Sequence, residues 1–81
     1  MKTFHLTIAR IGENLFDEAA NSVILPGKDG VFTVYAGHES FVTPLKGGEA
    51  HVEAADGKKY HFEIHENAIA EVSGNQATVL L

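Results

Sequence analysis

The stretch that decides the fold reads Gly48-Glu49-Ala50-His51-Val52-Glu53-Ala54-Ala55-Asp56-Gly57-Lys58-Lys59-Tyr60-His61-Phe62-Glu63-Ile64-His65. On either side of its glycine, Ala50 and Val52 alternate with His51 and Glu53, and Tyr60, Phe62 and Ile64 alternate with Lys59, His61, Glu63 and His65. Period two is the signature of a strand with one face against a core. Asp56-Gly57 by itself suggests a two-residue type I′ turn. That register would set Val52 against His61 and mix the two faces. A three-residue loop, Ala55-Asp56-Gly57, sets Val52 against Tyr60 and Ala50 against Phe62, and opposed residues share a face. It also puts Gly57 at the left-handed position of a G1 bulge. The bulged loop is the reading that keeps the core together.

The same parity argument extends outward. Val23 and Leu25 lead into Pro26-Gly27-Lys28-Asp29-Gly30, and Phe32 and Val34 lead out. A loop over Gly27–Gly30 opposes Leu25 to Phe32 and Val23 to Val34. Downstream, Gly74-Asn75 as a two-residue turn opposes Val72 to Ala77, Ala70 to Val79 and Ala68 to Leu81. At the amino end, Phe4, Leu6 and Ile8 point one way and Thr3, His5 and Thr7 the other. Glu13 to Asn21 is the best helical candidate, but it is short, and Leu15-Phe16 followed by Asp17 fits a bend between short strands equally well. Short strands with turns about every ten residues predict an all-β sandwich or barrel.

Composition sets the limits. The 81 residues, 8.7 kDa, make one domain, 1–81, and a chain of this size buries only about 60% of its unfolded surface. Without cysteine no disulfide braces it and no thiolate binds metal. A net charge of −5 argues against a nucleic-acid partner. No apolar run approaches the ~20 residues of a membrane span, and the amino terminus lacks the pattern of a signal peptide. The expectation is a soluble, acidic domain of a reducing compartment.

Motifs of chemistry are sparse. The sequence has no phosphate-cradling GxxxxGK, no GxGxxG and no nucleophile elbow. Its five histidines are the one enrichment. The hairpin register opposes His51 to His61 on the polar face, with Glu49, Glu63 and His65 nearby, so a stand-alone metal-binding β module is one reading. The other is a solvent-facing row opposite a core. His38 differs in placement. Tyr35-Ala36-Gly37-His38-Glu39-Ser40-Phe41 interrupts the alternation, with aromatic residues at both ends and a histidine at the tip, which suits a binding loop.

The run from Val23 to Gly48 resembles the epsilon subunit of the rotary ATP synthase, called delta in mitochondria. Gly30, Tyr35, Gly37, His38, Thr43, Leu45, Lys46 and Gly48 match that family's pattern in order and spacing. Ala70-Glu71-Val72, Asn75 and Thr78-Val79-Leu80 match its ending, and Phe4-His5-Leu6-Thr7-Ile8 fits its first strand, so the resemblance covers essentially the whole chain. Ala36, Glu39-Ser40 and Gly47 depart from family prolines or Ala-Pro, and His65-Glu66-Asn67 stands where Ser-Gly-Gly is usual.

The resemblance implies a small β-sandwich that does no chemistry, clamped to the gamma subunit and resting on the ring of membrane c subunits, where it helps transmit torque. Its implied contacts are Asp29, Gly30 and Val31 of one turn and Gly37, His38, Glu39 and Phe41 of the loop, both expected at the ring-facing end. Thr43, Leu45 and Lys46 are expected against gamma. The resemblance implies no catalytic residue, no cofactor and no membrane insertion. It places the protein at the periphery of an energy-transducing membrane on the catalytic-head side, in bacteria the cytoplasmic face of the inner membrane. Longer members continue into an inhibitory, in some cases ATP-binding, helical hairpin. The expectation here is a short form without it and without ATP binding.

Overall fold

A computed structural model describes residues 2–81, and among them there are eight β-strands and no helix. The strands are β1 (Phe4–Arg10), β2 (Glu13–Gly27), β3 (Gly30–Tyr35) and β4 (Phe41–Pro44), then β5 (Gly48–Ala54), β6 (Lys59–Ile64), β7 (Ile69–Ser73) and β8 (Gln76–Leu80). One layer runs β4-β7-β8-β1-β2 and the other β3-β2-β5-β6, with β2 common to both. All neighbours are antiparallel except β1 and β8, which pair in parallel from His5–Gln76 to Ala9–Leu80. This is the sandwich the alternation predicts.

The three hairpins keep their expected registers. Val52 opposes Tyr60 and Ala50 opposes Phe62. The Gly57 N–H donates to the Ala54 carbonyl at 2.9 Å, Gly57 has φ +89°, and Asp56 Oδ1 accepts the Lys58 N–H at 2.9 Å. That is a tight turn followed by a left-handed glycine, as a G1 bulge requires. Leu25 opposes Phe32 and Val23 opposes Val34, but the ladder runs on to Gly27–Gly30, so the turn tightens to Lys28-Asp29. A Cβ on Gly27 would lie 2.6 Å from the Gly30 carbonyl oxygen and 2.9 Å from the Phe32 ring, which is why glycine closes this hairpin. In the last hairpin Val72 opposes Ala77 and Ala70 opposes Val79, and the ladder closes at Ile69–Leu80, one pair short of Ala68–Leu81.

Glu13–Asn21 is neither a helix nor a bend. It is the first part of the 15-residue strand β2. Along β1, Phe16 and Ala20 oppose Ile8 and Phe4 and face the core; beyond Asn21 the buried positions become Val23 and Leu25. The phase change falls at an irregularity between Ala20 and Ser22, where β2 crosses from the first layer to the second. Asn21 fills it, donating from Nδ2 to Glu53 Oε2 at 3.0 Å and to the Ala54 carbonyl at 3.2 Å. A bulge adds local twist and re-aims the strand. Here it lets one strand serve two sheets.

The core lies between the layers. Leu6, Ile8, Val23, Leu25, Val34, Leu45, Ile64 and Val79 are all under 2% exposed, and among the described residues no polar side chain is buried. Leu45 closes one end: its N–H donates to the Ala68 carbonyl at 2.7 Å and it bridges to Gly27.

Candidate docking surfaces

Three exposed regions stand out. The first is the outer face of β4, β7, β8 and β1. Pro44 opposes Ile69, Ile69 opposes Leu80, and Leu80 opposes Ala9, so one row of apolar side chains crosses four strands. Val42, 65% exposed, flanks it, and Ile69 and Leu80 are 44% and 54% exposed. The next row starts at Val42 and is polar beyond it, Val42 opposing Glu71, Glu71 opposing Thr78 and Thr78 opposing Thr7. At its far edge His5 Nε2 lies 2.5 Å from Asp17 Oδ1, with the Thr7 hydroxyl donating to the same oxygen at 3.2 Å. The hydrogen bond from His5, then that from Thr7, holds the Asp17 carboxyl below the usual carboxylate range.

The second region is the mouth between β3 and β4, the edge strands of the two layers. Phe32 and Phe41 meet edge to face there, centroids 5.6 Å apart, and His38 lies 5.0 Å from Phe41. With Thr43 these side chains line a shallow, mainly apolar hollow. Gly37, at φ +82°, turns the chain, and the His38 N–H returns to the Tyr35 carbonyl at 3.3 Å.

The third region is the end of the sandwich at the Lys28-Asp29 turn. The Lys28 N–H donates to the Pro44 carbonyl and the Lys46 N–H to the Pro26 carbonyl at 3.3 and 2.9 Å, so turn and loop are stitched together. The Gly47 N–H donates to Glu66 Oε1 at 3.0 Å, and Asn67 takes a left-handed φ of 70°. The two replacements fit each other: glycine at 47 brings an N–H that proline would lack, and Glu66 accepts it.

The contact residues read from the sequence therefore divide. His38, Phe41 and Thr43 come together at the mouth, with Gly37 and exposed Glu39 on its rim. Asp29, Gly30 and Val31 lie with Lys46 at the end. The turn and the His38 loop do not share an end, because β3 separates them: Gly30 pairs at one end of it and Tyr35 at the other. Leu45 is 0% exposed, so it belongs to the core and leaves the contact set. The apolar row and Phe32 were missed by the sequence reading.

The histidine face does not assemble a metal centre. His51 and His61 are opposed, ring centroids 6.4 Å apart, and Glu49 Oε1 is 3.6 Å from His51 Nε2. Among the described residues no three potential ligands converge. The hydrogen bond from Asn21 and the nearby Lys59 ammonium hold the Glu53 carboxyl below its usual range, a structural effect of the bulge.

The described residues form a sandwich without helices that offers an apolar face, an aromatic mouth and a stitched loop end, surfaces of the kind a partner protein covers. The profile of the family described as "ATP synthase, Delta/Epsilon chain, beta-sandwich domain" matches residues 3–81, and the chain belongs to that family. It is 37% identical over 79 residues to an ATP synthase epsilon chain of Chlorobium limicola, covering 98% of this chain and 89% of the relative. With that of Delftia acidovorans it shares 34% over 80 residues, 99% of this chain but 57% of the relative. Among solved structures, a chain of the Euglena gracilis mitochondrial ATP synthase (OSCP/F1/c-ring) superposes with a TM-score of 0.88 at 28% identity, covering 96% of this chain and 49% of that one. A chain of the Tetrahymena thermophila central stalk and c-ring gives 0.76 at 9% identity, covering 98% and 63%, a likeness of fold alone.

Proposed function

We propose that this chain is a non-catalytic rotor part of a proton-translocating ATP synthase, joining the gamma subunit to the ring of c subunits so that proton flow is coupled to ATP synthesis. The observation that carries the reading is the apolar row Pro44-Ile69-Leu80-Ala9 with Val42 beside it. Large apolar side chains gathered on one exposed face of a domain whose core is already complete mark a protein interface. Family membership supplies the partner: gamma covers this face and grips β4 from both sides, so that Gly37, His38, Glu39, Phe41 and Thr43 of the mouth also touch it. The opposite demand, contact with polar ring loops, suits Asp29, Gly30, Val31 and Lys46 at the stitched end. The protein then sits peripheral to the membrane on the catalytic-head side, the cytoplasmic face in a bacterium.

Changing Ile69→Lys together with Leu80→Glu tests the face. Both side chains already reach solvent, so thermal unfolding of the free domain should shift little. Co-purification with gamma should be lost. Retained assembly would remove the face from the interface.

A further inference from the structure

The mouth between β3 and β4 carries a chemical polarity that fixes what can dock there. His38 Nδ1 lies 3.0 Å from the Glu39 carbonyl oxygen. A carbonyl only accepts, so the proton of this hydrogen bond sits on Nδ1. In the neutral ring the other nitrogen, Nε2, is then a bare acceptor, and among the described residues no hydrogen bond engages it. The ring cannot easily turn over to exchange the two, because Phe41 packs on it and Phe32 packs on Phe41. Thr43 shows the same sense: its hydroxyl hydrogen points to the Pro44 carbonyl at 3.4 Å, leaving lone pairs outward. Glu39, exposed on the rim, adds a carboxylate, in a chain of net charge −5.

We infer that the hollow lined by Phe32, His38, Phe41 and Thr43 receives a cationic hydrogen-bond donor, a lysine or arginine side chain of the partner, with His38 Nε2 as its acceptor. Each polar side chain that lines the hollow presents an acceptor, and aromatic rings beside an acceptor suit a cation whose stem is apolar. A carboxylate or a carbonyl from the partner would meet lone pairs. Lys2, near Ala36, and Tyr35 on β3 lie to the side of the hollow and do not supply a donor in it. The inference rests on the rotor reading for the identity of the partner, but the state of His38 does not.

Two measurements test it. Long-range nitrogen–proton correlation spectra of the free domain at pH 8 should show His38 in the Nδ1–H form, the less common one for a neutral imidazole. An Nε2–H ring overturns the inference whatever the partner does. In co-purification and titration with gamma, His38→Gln, which keeps an acceptor near the Nε2 position, should bind as the parent does. His38→Asn and His38→Ala should each bind roughly three- to tenfold more weakly, the worth of one hydrogen bond. Equal binding of all three variants, with the parent assembling normally, overturns the donor assignment and leaves the rotor reading standing. Failure of the parent chain itself to assemble overturns the rotor reading and the choice of partner with it.

Discussion

At the scale of single residues, Gly37 is constrained by its backbone and not by its neighbours. Nothing lies within 4 Å of a Cβ built there, so space is available, but φ is +82°. A β-branched side chain on that backbone is strained. Gly37→Val should cost about 1–2 kcal/mol and lower the melting temperature of the free domain by several degrees. An unchanged melting curve would show that the loop rearranges freely. Asp17 gives a pH-dependent counterpart. Its folded pKa is lowered, chiefly by the hydrogen bond from His5. The stabilisation is therefore present above the ordinary Asp value and is lost as pH falls through the lowered folded value. In His5→Ala the Asp17 carboxyl should titrate at higher pH, read from its side-chain carbon shift. A titration that does not move would assign the lowering to Thr7 and Asn14 alone. The His38 loop was legible because a histidine interrupts an alternation between aromatics. Phe32 was not, since in sequence it is one more inward residue of a strand, and only the fold reveals that this strand is an edge.

At the scale of elements, the hairpins were readable because each turn leaves parity intact, so the pairing of apolar residues selects one loop length. The long strand β2 was not readable for the opposite reason. Its bulge changes the phase of burial at Asn21, and a window across Phe16, Ala20, Val23 and Leu25 shows spacings of four, three and two, which mimic a helix or a break. Asn21 is what holds the change in place. Asn21→Ala should cost about 1 kcal/mol from the part-buried bond to the Ala54 carbonyl. It should also let Glu53 titrate at higher pH, because the Asn21 amide is the main cause of its lowering. A variant as stable as the parent would mean that backbone twist alone sets the bulge. The apolar row also left a trace that alternation conceals. Ile69 stands between Ala68 and Ala70, and Leu80 between Val79 and Leu81. Large side chains thus occupy the outward phase, in the first case with small ones inward, and that inversion signals a covered face.

At the scale of the molecule, each sheet buries one side and the two exposed sides differ. One carries the apolar row; the other carries His51, His61, Glu49, Glu53, Lys59 and Glu63 on β5 and β6, with exposed Ile24, Val31 and Tyr35 beside them on β2 and β3. The contrast gives the sandwich a front and a back. The parallel pairing of β1 with β8 has a consequence of a different kind. Phe4, Leu6 and Ile8 precede the other strands in the chain, yet one edge of their strand stays open until Gln76–Leu80 pairs with it. Contacts so far apart in the chain close slowly. Until that contact forms, the flank of β1 is an unpaired edge open to wrong pairing with another chain. The first and last strands of the sandwich must therefore meet before its sheet is complete, and loosening Gln76–Leu80 would bare the flank of β1 as well as that of β7.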